Sequence, residues 1–312
     1  MASVTTTTVA QPPPPPHGEG PRPVGQLLRG WRERRMLTQL ELALRAEVSA
    51  RHLSFVETGR SRPTSEMILR LAQQLDVPLR ERNVLLLSGG YAPAFPAHRL
   101  ADPPMQAVHE AIEHVLRAHE PYPAVVIDAA WELVAANDAV PLLTAGAAAK
   151  LLEPPVNVLR LSLHPEGMAP RIVNLAEWRA HLLDRLSRDI EATAAPTLIA
   201  LRDELAGYPS PPPAPHPDTR AILVPLRLRV PGPAVSDTGP SNTGRSNTGP
   251  SNTSPSNTGR LDGVPSDTVL SLFSTTTVFG TPRDVTLSEL AIESFYPADA
   301  ATAAFLRGAQ AR

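Results

Sequence analysis

The chain has 312 residues, 29 basic and 31 acidic side chains and no cysteine, so it is long enough for two domains, while disulfide frameworks, thiolate catalysis and cysteine zinc sites are excluded. No run of about 18 to 20 apolar residues is present to span a bilayer, and the first residues lack the basic start and apolar core of a signal peptide, so the expected compartment is the cytoplasm, with no membrane partner. The net charge of −2 is unevenly divided: residues 22–90 hold 12 arginines against 7 acidic side chains, a local +5 that leaves −7 for the rest, as suits a polyanion-binding head on an acidic body.

Residues 1–23 include the run Pro12 to Pro16 and have little to bury, so they read as a disordered tail. Helical spacing begins with Val24, Leu27, Leu28 and Trp31. Thr38 to Glu41 has the form of a capping box and predicts a second helix over 39–45. Ser49 caps a third over 50–58, stopped by Gly59, and Pro63-Thr64 opens a fourth through Met67, Ile68, Leu71 and Leu75. A fifth follows Pro78 and ends at Gly89-Gly90. Leu40, Ala43, Leu53 and Val56 are the expected core of the second and third helices. The predicted head is therefore an all-α, five-helix unit over 24–90, followed by a proline-rich linker over 91–104.

The second region, 105–307, starts with a helix over 105–119. Ala124 to Asp128 and Trp131 to Ala135 are rich in β-branched and aromatic residues and read as a hairpin with a two-residue turn, after which Asn137 can cap a helix. Trp178, Leu182, Leu183 and Leu186 mark one or two amphipathic helices over 175–205. Strands are expected over 222–230, 269–279 and 289–295, giving an α+β arrangement with an antiparallel sheet flanked by helices. A pentapeptide repeat, Ser236-Asp-Thr-Gly-Pro to Ser256-Asn-Thr-Gly-Arg, has nothing apolar to bury and reads as a disordered loop expansion within 231–265. Residues 209–217 read as a second flexible loop.

The segment from Leu37 to Pro63 joins two short helices through Ala46-Glu47-Val48, which forces a steep crossing and projects the second helix outward, a shape that fits a major groove about 12 Å wide. Its Thr-Gln-x-x-Leu-Ala pattern at 38–43, the Val48-Ser49 cap, the Glu-x-Gly-Arg close at 57–60 and the proline-opened fourth helix occur in order. Over 24–90 the chain thus resembles the phage-repressor-like, or Xre, helix-turn-helix family, which implies double-stranded DNA as a partner. The resemblance implies that Gln39 hydrogen-bonds a DNA phosphate, that Ala50, Arg51 and Phe55 form the recognition face, and that the capping Ser49 is a DNA-contact candidate as well. On that face Arg51 is suited to guanine O6 and N7, and Phe55 to a thymine methyl. His52 is open between a phosphate contact and plain surface. Arg60 and Arg62 match basic residues that approach the backbone, and Arg32 with Glu57 match an internal ion pair. Glu47 departs from the pattern, which has glycine there. If that position is left-handed, the departure costs roughly 1 to 2 kcal/mol.

Residues 105–307 resemble the MmyB-like regulators' ligand-binding domain, which is PAS-like. The resemblance is carried by Pro121 to Asp128, Trp131 to Asn137, Asn157 to Pro165, Asn174 to Arg179, and Ser274 to Pro282 with Glu293 to Pro297. It implies a small apolar ligand, fatty-acid-like in part of the family. Arg160, Arg179 and Arg185 are then candidates to meet a carboxylate, and Trp178, Phe273 and Phe279 to form walls; for the arginines an ordinary ion pair, and for the aromatics plain core, stays open. A homodimer is expected, because one such head reads few base pairs. No cofactor or metal is expected. A second domain that only dimerises or binds a protein remains the alternative. An enzyme is not indicated: His164, Asp184 and Ser187 lie outside any GxSxG elbow, and HExxH, P-loop and dinucleotide fingerprints are missing.

Overall fold

The structure is a computed structural model that describes residues 23–212, 223–230 and 268–310. The expected tail up to residue 22, the repeat at 236–260 and most of the 209–217 loop lie outside the described residues.

Five helices form the head: α1 (Val24–Arg34), α2 (Gln39–Arg45), α3 (Ala50–Glu57), α4 (Ser65–Gln74) and α5 (Leu79–Ser88). Hydroxyl side chains start the middle three, with Thr38, Ser49 and Thr64 accepting from the amides of Glu41 (3.2 Å), His52 (3.1 Å) and Met67 (3.2 Å). Such caps satisfy amides that a helix leaves unpaired, each worth about 0.5 to 2 kcal/mol. Leu28, Leu42, Leu53, Ile68, Leu71, Leu85 and Leu86 fill the core. Gly25 lets α1 lie directly on α3, since a Cβ there would sit 2.1 Å from the Val56 carbonyl oxygen. One core expectation is corrected. Leu40 is 61% exposed, and Leu42 takes the buried position; the two lie about 200° apart around a helix, so only one of them can face inward.

The second unit contains α6 (Gln106–His119), β1 (Ala124–Ile127), β2 (Leu133–Ala136), α7 (Val140–Thr144), α8 (Val158–Leu163), α9 (Leu175–Thr193), α10 (Pro196–Ala206), β3 (Leu226–Arg229), β4 (Val269–Val278), α11 (Val285–Glu289), β5 (Ala291–Pro297) and α12 (Ala300–Gln310). The strands form one sheet in the order β2-β1-β5-β4-β3, every neighbouring pair antiparallel. Strand alternation sends Val125, Ile127, Leu226, Leu228, Leu270 and Leu272 to the face covered by α8, α9 and α10. Ala124, Val126 and Ile292 point the other way, against Ile112 and Leu116 of α6. This is the α+β arrangement read from the sequence.

Two local expectations change. Trp131 is not in a strand: it lies in the connection between β1 and β2 with φ 62°, only 4% exposed, where the Asp128 carboxylate accepts from the Ala130 and Glu132 amides (2.8 and 2.9 Å). Asn137 does not cap α7. Its buried amide accepts from Ala124 N (3.1 Å) and donates to the Leu116 and Tyr122 carbonyls (3.2 and 2.8 Å), tying α6 to β1.

The head is docked on the second unit. Arg80 of α5 pairs with Glu289 of α11 through two hydrogen bonds (2.7 and 2.6 Å). Arg35 donates to Leu75 O (2.9 Å) and Asp76 O (3.1 Å) past the end of α4, and to Glu191 O and Ala192 O (3.1 Å each) in the last turn of α9. The connecting segment is held too, by Val285 N donating to Pro96 O (2.8 Å) and His98 Nδ1 paired with the Asp284 carboxylate (2.8 Å).

Candidate functional site

The first candidate surface is the outer side of α3. A capping box starts α2, with Thr38 N donating to Glu41 Oε2 (2.7 Å). The chain then reverses through Glu47 at φ 55°, and Val48 N returns to Ala43 O (2.9 Å). That turn aims the N-terminal half of α3 outward. Arg51 and His52 are exposed there, Ala50 and Phe55 are half-buried, and the Arg51 guanidinium lies 5.5 Å from the Phe55 ring centre. Gly59, at φ 73°, turns the chain so that exposed Arg60 follows the helix end.

The expected ion pair stands behind this face: Arg32 Nε and Nη2 donate to the two Glu57 carboxylate oxygens (2.7 and 2.9 Å), both residues buried. Two candidate contacts are engaged internally. Gln39 donates through Nε2 to Glu57 Oε2 (2.8 Å), so its amide serves the joint between α2 and α3. Arg62 donates to Gly89 O (3.0 Å) and lies 5.6 Å from the Tyr91 ring centre, bracing the start of α4 against the end of α5.

The second candidate is a cavity of about 320 Å³ between the sheet and α7, α8 and α9. Its walls are apolar: Val125, Leu133, Leu159, Leu182 and Phe295, with Trp131 and Trp178 among them. The Trp178 indole donates to Ser162 Oγ (3.0 Å) and that of Trp131 to Asp189 (3.0 Å), so each ring is fixed by its polar edge. Burial pushes the Asp189 carboxyl above its usual range. At roughly 30 Å³ per heavy atom of liquid, the cavity has room for about ten heavy atoms.

Trp178 lines this cavity, but the other expected ligand residues do not. Arg160 forms a two-bond pair with Glu204 (2.7 and 2.8 Å), which together with Tyr208 holds that carboxyl down at about 2. Arg179 donates to the Leu205 and Ala206 carbonyls at the end of α10, and its Nε is buried without a partner among the described residues. Arg185 donates to Glu293 Oε1 (2.8 Å) and Thr276 Oγ1 (3.1 Å), with its guanidinium 4.8 Å from the Trp131 ring centre. Phe273 stacks on Tyr296 at 5.3 Å, and Phe279 packs against the α6 side of the sheet. The arginines missed the cavity because each found a carboxylate or a row of helix-end carbonyls nearer by. Glu293 and Phe295, which do line it, share one face of β5 by the two-residue strand period, a signal the sequence carries once β5 is in register.

No described helix is long and apolar enough to cross a membrane. Residues 28–82 match the helix-turn-helix family model, and residues 108–222 match that of the MmyB-like transcription regulator ligand binding domain. Among curated proteins none matches. The solved structure of an RNA-binding Light-Oxygen-Voltage receptor is similar at 14% identity and a TM-score of 0.24, over 92% of this chain and 60% of that one, so the chain spans about 60% of that protein's length. Taken with the two geometries, the family matches show an Xre-like helix-turn-helix head joined to an MmyB-like transcription regulator ligand binding domain.

Proposed function

We propose that this regulator works in the cytoplasm as a homodimer whose operator affinity is set by a small, mainly apolar molecule held in the 320 Å³ cavity. In this reading Arg51 and Phe55 read base edges from α3, His52 and Arg60 contact phosphates, and Gln39, Ser49 and Arg62 act by holding the reading helix in place. Trp178 is a wall of the ligand site. The fatty-acid-like expectation is supported in its tail, by the apolar walls, and not in its head, because no arginine lines the cavity.

One observation carries the link between the two activities. Helix α9 presents Trp178 and Leu182 to the cavity, Arg185 and Asp189 to Trp131, and the carbonyls of Glu191 and Ala192 to Arg35 of the head. From Leu182 to Ala192 is about 15 Å of continuous helix. A ligand that favours one position of α9 therefore favours one position of the head, by as much as its affinities for the two states differ.

The test is to select duplexes from a random pool with the full-length protein, then measure operator affinity with the cavity empty and occupied, and in Leu159→Trp, which fills it. Affinity that moves with occupancy in wild type and is fixed in the filled variant supports the reading. Affinity indifferent to both removes the sensor and leaves a second domain that dimerises or binds a protein.

A further inference from the structure

The charged side chains lining the cavity are acidic: Glu293 and Asp138, with no arginine, lysine or histidine among them. Glu293 is 5% exposed, sits in β5 opposite Val125 of β1, and accepts one hydrogen bond from Arg185 at its Oε1. Its other carboxylate oxygen, Oε2, has no hydrogen-bond partner among the described residues. An ionised carboxylate has room for about four hydrogen bonds, and a buried one is stabilised by every donor it gains. Glu293 thus brings a carboxylate with an unused acceptor oxygen to a mainly apolar chamber whose other polar lining residues are Asn137, Asp138, Thr144 and Ser162. The paired Arg185 offers no free charge there, since its guanidinium is covered by the Trp131 ring and shared between Glu293 and Thr276.

Resting on the reading of this cavity as the ligand site, we infer that Glu293 selects the ligand's head group, and that the ligand carries a hydrogen-bond donor, a hydroxyl or an amine, on an apolar body of about ten heavy atoms. An anionic head is disfavoured. It would bring a second negative charge against a buried carboxylate and offer no proton to Oε2, a juxtaposition of like charges that costs several-fold to many-fold in affinity.

Three eight-carbon probes that fit the volume separate the classes: 1-octanol, octylamine and octanoate. Each is titrated into the full-length, delipidated protein at neutral pH, by calorimetry and by the emission of Trp131 and Trp178, two of the three tryptophans. Octanol and octylamine should bind at least about tenfold more tightly than octanoate. Glu293→Gln should erase that preference, weakening octylamine and strengthening octanoate, because Arg185 then keeps no carboxylate. The rank order in wild type decides the matter even if that variant fails to fold. Octanoate binding as tightly as the other two overturns the head-group assignment while leaving the ligand site intact. Binding of no probe, or binding that survives Leu159→Trp unchanged, overturns the cavity as a ligand site and the assignment with it.

Discussion

Glu47 sets the angle at which α3 leaves the head, and it does so in a conformation that suits glycine. Its φ is 55°, its side chain is exposed, and among the described residues its carboxylate makes no hydrogen bond or ion pair. A side chain in the left-handed region costs roughly 1 to 2 kcal/mol, from Cβ against the following carbonyl oxygen. Glycine removes that cost but gives the unfolded chain freedom worth about 0.4 to 1 kcal/mol. Glu47→Gly should therefore stabilise the head by about 0.5 to 1 kcal/mol, or raise its transition by about 3 to 6 °C for a unit of this size. The assay is hydrogen exchange of the slowest α2 and α3 amides in the full chain, beside thermal unfolding followed by circular dichroism. Glu47→Ala is the deciding control: it deletes the carboxylate and keeps the strain, so it should leave stability nearly unchanged. If alanine stabilises as much as glycine, the gain comes from losing a charge in a crowded surface and the strain argument is wrong. If glycine destabilises, the turn owes its geometry to Glu47 itself.

Arg51→Ala should cost roughly 1 to 3 kcal/mol on a selected operator and little on random duplex, whereas Arg60→Ala should weaken both alike and flatten the salt dependence; equal losses for Arg51 on both duplexes would make it a backbone contact. Glu57→Ala should destabilise the head by about 3 to 5 kcal/mol in urea unfolding, because it strands the buried Arg32 guanidinium and frees Gln39. A loss below about 1 kcal/mol would show that water reaches Arg32. Arg35→Ala removes two bonds across the domain joint, each worth about 0.5 to 1.5 kcal/mol, so operator affinity should lose most of its response to ligand while ligand binding itself persists. An undiminished response in that variant would route the coupling through the Arg80–Glu289 pair instead.

The head was legible because its signals are local. Thr38 with Glu41, and Ser49 and Thr64, each announce a helix start within four residues of the atoms they bond, and Gly59 marks an end by its own φ. At Leu40 the local signal is ambiguous. In the run Leu40, Leu42, Leu44 the alternation fits a helix poorly, and only packing against α3 and α4 decides that Leu42 goes in. Asn137 failed as a cap because a buried strand end and a helix end, 13 and 21 residues away, compete for its amide and offer three bonds where a cap offers one.

The cavity's polar end was hidden for a deeper reason. A guanidinium seeks the nearest carboxylate or carbonyl row, and which one is nearest depends on pairings across 44, 26 and 108 residues for Arg160, Arg179 and Arg185. What sequence cannot show is which carboxylate keeps a free oxygen once those pairs have formed. Glu293 does, and its position joins the site to the joint. It lies four residues after Glu289, which Arg80 of the head grips, and it holds Arg185 of α9, the helix whose last carbonyls Arg35 grips. Both attachments of the head therefore start at elements that meet at one carboxylate. In the proposed reading, a donor bound at Glu293 Oε2 competes with Arg185 for the carboxylate and so biases the mutual position of the two elements that carry the head. Coupling of that kind is reciprocal, so operator DNA that fixes the head should then alter the cavity's affinity for the same ligand by the same factor.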